Sequence, residues 1–149
     1  MKARLLSPWL TARTQFVLAA FFVVAAAAKI ADPPGFAHEI HNYRLVPAAA
    51  VGAFALVLPW LELVAGLALF LGLWRREAAG LLAVLLVVFI GALGINLAHE
   101  HPVDCGCFGT SRVERTDAER LSDMKLAILR DVGLLALAAQ ILAATRSDA

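Results

Sequence analysis

The sequence predicts an all-α protein, an integral membrane four-helix bundle, and three observations carry the prediction. Of the 149 residues, 61% are hydrophobic, against roughly 45–50% apolar usage in soluble domains. Mean hydropathy is +0.78. Charged residues, 17% of the chain, gather at the two ends and in three connecting stretches, and the apolar runs between them are nearly free of charge. The length suits a single membrane domain, 1–149. A formal net charge of +1, with no basic face or stripe, argues against a nucleic-acid partner; membrane lipid is the expected surrounding.

A membrane span takes about 20 largely apolar residues, with a range of roughly 17–25. The first expected span, 14–30, is the shortest: Phe16 to Ala28 is wholly apolar and Lys29 closes it. Its shortness, the basic Lys2, Arg4 and Arg13, and the run Ala25 to Ala28 also fit a leader that is cleaved. The second span, 47–73, opens on Pro47, which a first helical turn tolerates, and carries Pro59 in its middle, where a proline kinks a helix. The third is expected at 78–98 and the fourth at 126–145. Arg75-Arg76-Glu77 is read as the tight turn of an antiparallel hairpin between the second and third spans.

Two loops, 31–45 and 99–125, then share one side of the membrane. With the N-terminus inside, the cytoplasmic side collects Lys2, Arg4, Arg13, Arg75, Arg76 and Arg146 and the opposite side Lys29, Arg44, Arg112, Arg115, Arg120 and Lys125, similar totals, the outer ones interleaved with acidic residues. Both loops are expected outside. The latter half of the second, Arg112 to Lys125, mixes charge with isolated apolar residues and is read as a surface helix leading into the fourth span.

The only two cysteines are Cys105 and Cys107, in Asp104-Cys105-Gly106-Cys107-Phe108-Gly109. A bridge across so short a loop adds little stability in the chain-entropy model, and its geometry is tight. Strained, exposed disulfides have the more oxidising potentials and tend to be labile or catalytic, so the chemistry favours a redox pair that cycles. Two other readings stay open. His99, His101, Asp104, Cys105 and Cys107 lie within nine residues, and thiolates with imidazoles suit zinc or copper(I), although the spacing matches no structural zinc pattern; alternatively, the cysteines are incidental to a connecting loop.

Glu62 falls inside the second span, where an ionisable group is expensive and marks a functional position by default. It could act as an intramembrane proton relay, anchor a partner group or a quinone, or form an ion pair that locks two helices. Asn96 in the third span invites the helix-locking reading. Lys29 is expected to snorkel to the interface and Tyr43 to join an aromatic belt. Arg130 and Asp131, being adjacent, are expected to point to different faces and to bond different neighbours.

The first span ending in Lys29 before Asp32-Pro33, the Pro59-Trp60-Leu61-Glu62 segment and the Cys-Gly-Cys-Phe-Gly motif together resemble the methylamine utilisation protein MauE family, allied to DoxX-like membrane proteins. The resemblance covers nearly the whole chain. It implies a multi-pass protein of the bacterial inner membrane associated with methylamine metabolism. It further implies action with a thioredoxin-like partner in maturing an exported, disulfide-rich dehydrogenase subunit, by disulfide formation or electron supply. The chain has no C-x-x-C, so a thioredoxin-like oxidoreductase would be a separate protein. A thiol-disulfide oxidoreductase passing electrons to a quinone is the leading expectation, the quinone by analogy with other four-helix disulfide-generating membrane proteins. A non-enzymatic membrane assembly subunit and a metal-handling protein are the alternatives.

Overall fold

A computed structural model describes residues 7–103 and 116–147; Cys105 and Cys107 lie outside the described residues. Among the described residues there are five helices and no strand: α1 Pro8–Ala31, α2 Pro33–Asn42, α3 Ala48–Phe70, α4 Arg75–Ala98 and α5 Asp117–Ser147. All but α2 are long and apolar enough to cross a membrane.

Each helix boundary has a local cause. Ser7 caps α1 through its side-chain oxygen, which accepts from the Leu10 backbone N–H, and Pro8 supplies the first-turn proline, a position that needs no N–H donor. The helix therefore begins well before the apolar run does. Asp32 accepts from the Gly35 N–H at 3.1 Å and Pro33 follows it, so the first loop contains α2, a helix not foreseen from the sequence. α5 opens on a capping box, with Thr116 N–H donating to Glu119 Oε2 at 3.0 Å and Glu119 N–H to Thr116 Oγ1 at 3.3 Å. The charged stretch 117–125 is thus continuous with the fourth apolar helix.

The hairpin turn lies earlier than Arg75–Glu77. Gly72, at φ +74°, closes α3 in a Schellman motif: Leu73 N–H donates to Ala68 O at 2.8 Å and Gly72 N–H to Leu69 O at 3.2 Å. Trp74, at φ 45°, completes the reversal, and Arg75 already belongs to the first turn of α4. Glycine adopts the left-handed conformation without penalty, which is why the turn settles at Gly72 rather than at the charged residues. α3 runs through Pro59 as one helix.

α1 packs chiefly on α3 and α4 chiefly on α5; α1–α5 and α3–α4 contacts close the ring, and α2 lies on α3. The main core, around Leu18, Phe22, Leu69, Leu82, Leu86 and Ile141, fills the centre, while Leu93, Val103, Met124 and Ala127 form a separate cluster at the end that carries the cysteine segment. Only about a third of each long helix is buried inside the bundle. The outward faces carry Val57, Val64, Val84, Val88, Leu126 and Leu129, all exposed. Apolar surface that extensive requires lipid, not water, around it.

α1 and α3 pack tightly at Gly66, where an added Cβ would sit 3.0 Å from Val23 Cγ2 and 3.4 Å from Ala19 O; small residues at such crossings let helices approach where no hydrophobic drive exists between them. Gly66→Leu is expected to lower stability by about 1–3 kcal/mol through overpacking. Gly91→Ala, where an added Cβ meets nothing within 4 Å, is expected to leave stability unchanged or raise it by up to about 1 kcal/mol. Thermal unfolding of the detergent-solubilised variants checks both.

Candidate functional site

Lys29, on the last turn of α1, does not snorkel to the interface: it is buried, and its Nζ donates to both carboxylate oxygens of Glu62 on α3 at 2.8 Å. The reach of a lysine stem from the end of α1 is spent inward because a fully buried carboxylate lies opposite, and an unpaired charge there would carry the full desolvation penalty. Two aromatic rings complete the cation's surroundings, with Nζ 5.2 Å from the Phe36 ring centroid on α2 and 4.9 Å from that of Phe89 on α4, both within cation–π range. Asp131 on α5 is buried too and lies close enough to act electrostatically on Lys29 and Glu62.

Asp131 and Arg130, expected to bond different neighbours, bond each other. Arg130 folds back so that Nε and Nη2 donate to Asp131 Oδ1 at 3.0 and 2.8 Å, and its guanidinium lies 5.1 Å from the Phe21 ring. Adjacent helical residues diverge at Cβ, but the arginine stem is long enough to return, and burial of Asp131 makes the return favourable. Lys29 and Glu62 thus pair between α1 and α3, and Arg130 and Asp131 pair within α5. Sequence reasoning singled out Glu62 but missed Phe36, Phe89 and Asp131 as its company. The i, i+4 pair Phe36 and Ile40 after a capping Asp-Pro was the available signal for the first.

At the loop end, Asn96 Nδ2 donates to Tyr43 O at 3.3 Å and to Ala92 O at 2.9 Å, tying α4 to the end of α2. His99 caps α4. His101 Nε2 donates to Asn42 O at 3.0 Å, the direction being fixed because a carbonyl only accepts. Val103 N–H donates to Met124 Sδ at 3.4 Å. Among the described residues no group of three or more His, Cys, Asp or Glu is placed to hold a metal ion; the ligands that define the metal reading, Asp104, Cys105 and Cys107, are outside them.

Between α2, α3 and α4 lies an apolar crevice of about 160 Å³ whose lining includes Phe36, Tyr43, Phe54, Leu58, Val88 and Phe89, with Glu39 at its polar edge. Phe36 and Phe89 are the same rings that flank Lys29, so the crevice and the Lys29–Glu62 pair share a wall. The crevice belongs to the half of the bundle where α1 and α4 end and the cysteine segment begins.

A family model described as methylamine utilisation protein MauE matches residues 7–144. Among curated proteins, the methylamine utilization protein MauE of Paracoccus denitrificans is 36% identical over 105 residues, covering 70% of this chain and 56% of its own length. The protein of that name from Methylophilus methylotrophus is 39% identical over 88 residues, covering 57% and 46%. That from Methylorubrum extorquens is 38% identical over 107 residues, covering 71% and 58%. This chain therefore spans about half the length of the curated relatives it matches. No solved structure matches it.

Breaking the Lys29–Glu62 pair from one side leaves a buried charge alone. Lys29→Met or Glu62→Leu is each expected to cost about 3–5 kcal/mol, and the double variant to recover most of that loss. Unfolding of the purified variants in mixed micelles, read as a double-mutant cycle, measures it; additive losses would show that the two side chains do not depend on each other.

Proposed function

The chain belongs to the methylamine utilisation protein MauE family, and from that premise we propose that it is a membrane component of methylamine utilisation acting by thiol-disulfide exchange through Cys105 and Cys107. The observation that carries the reading is the vicinal pair itself: the only two cysteines of the chain, separated by one glycine, in the segment that joins α4 to α5. A loop so short makes a bridge easier to open than to keep.

The exchange balances as follows. A thiolate of an exported client, or of a thioredoxin-like protein serving it, attacks one sulfur of the Cys105–Cys107 bridge, forming a mixed disulfide and releasing the other cysteine as a thiolate. The partner's second thiolate then attacks the mixed disulfide, leaving the partner oxidised and the pair reduced by two electrons. Reoxidation returns those two electrons, with two protons, to a quinone, which leaves as quinol. Support for a lipid-soluble acceptor comes from the apolar crevice at the same end of the bundle, lined by aromatic rings on which a quinone head stacks. Glu62, held by Lys29, anchors the wall of that crevice through Phe36 and Phe89. In this reading the loop faces the periplasmic side of the inner membrane, with Lys2, Arg4, Arg13, Arg75 and Arg76 on the cytoplasmic side.

Cys105→Ser/Cys107→Ser is expected to abolish disulfide formation in the exported client while the protein still accumulates in the membrane, as read by alkylation-shift assay of the client thiols. Continued maturation would leave a non-enzymatic assembly role. In intact cells, a membrane-impermeant thiol reagent is expected to modify the wild-type cysteines after mild reduction; labelling only after lysis would reverse the orientation.

A further inference from the structure

We propose that a second pocket, polar and distinct from the apolar crevice, binds a phosphate-class oxyanion at the loop end of the bundle. It encloses about 370 Å³ and is lined by His41, Asn42, Arg44, His101, Pro102 and Arg120. Two arginines and two histidines therefore face one cavity, and among the described residues no acidic side chain lines it.

The charge is left unanswered in a specific way. Arg120 Nε is buried without a hydrogen-bond partner, and a buried donor in that state carries a penalty that a ligand oxygen removes. Arg120 also sits in the first turn of α5, where the helix dipole disfavours a cation. Its nearest acid in sequence, Glu119, is engaged in the capping box with Thr116. An anion in the pocket would satisfy the guanidinium and the dipole together.

The backbone is bent to assemble these groups. Arg44 at φ 56° and Glu100 at φ 51° are left-handed non-glycine residues, and they end α2 and α4 where glycine is usual. The first turn delivers Arg44 and the second delivers His101, whose ring is then pinned by Asn42 O. The two guanidinium groups come from different elements, Arg44 from the end of α2 and Arg120 from α5, and such planar forks suit a tetrahedral oxyanion. The pocket lies where the apolar helices end, the depth of a phospholipid headgroup; a free phosphate offers the same oxygens.

Purified full-length protein in an uncharged detergent, stripped of lipid, is titrated calorimetrically with inorganic phosphate and with a short-chain phosphatidylglycerol. The wild type is expected to bind at least one probe, and Arg120→Gln to weaken that binding about tenfold or more, with Arg120→Lys weakened less. Arg44→Asn, which keeps a residue tolerant of the left-handed backbone, provides a second variant and is expected to weaken binding likewise. Binding of the lipid alone identifies a headgroup site; binding of both probes identifies a site for the free anion. Binding of neither, or equal affinities in the wild type and both neutral variants, overturns the proposal.

Discussion

Four of the five described helices meet around one ammonium group. Lys29 reaches from α1 to the Glu62 carboxylate of α3, lies against a ring from α2 and another from α4, and is within electrostatic range of Asp131 on α5. In an apolar interior such a pair is weak as a source of stability, since the desolvation of two ions offsets much of their attraction. Its force is as a constraint. Sliding α1 along α3 by one turn would strand both charges, whereas the leucine and alanine contacts around them could re-form in other registers. The apolar packing supplies cohesion, and the ion pair selects which packing.

That constraint also explains the position of the crevice. Phe36 and Phe89 lie beside Lys29 and also line the gap between α2, α3 and α4, so the cation and the opening share two walls. The opening lies in the half of the molecule where α1 and α4 end, so a buried charge and an apolar slot share one end of the bundle.

The spans were legible in the sequence because hydrophobicity is a property of contiguous residues. Each long helix contains one of the apolar runs, although α1 and α5 begin well before theirs, and Glu62 was conspicuous as a carboxyl in such a run. What could not be read were pairings over distance. Nothing near Lys29 indicates that its partner is 33 positions away, so the local expectation of snorkelling was reasonable and mistaken. The Arg130–Asp131 bond was missed for the opposite cause, a backbone rule applied to a side chain long enough to evade it. α2 was legible in principle, from Asp32-Pro33 and the Phe36–Ile40 spacing, but its ten residues lack the length that makes an apolar pattern stand out. The cysteine pair is known from sequence chemistry and family resemblance, since it lies outside the described residues.

α5 has 31 residues, about 46 Å of helix at ~1.5 Å per residue, against a hydrocarbon core of ~30 Å. Several of its first turns therefore stand clear of the lipid as a rigid post. Val103 and Thr116 are both moored to that post, the first through Met124 Sδ and the second through the capping box. The consequence is mechanical: a segment hung from two points on one rod keeps a constant separation between its ends when neighbouring helices shift. Breathing of the bundle would leave the distance between Val103 and Thr116 little changed, because both answer to α5 alone.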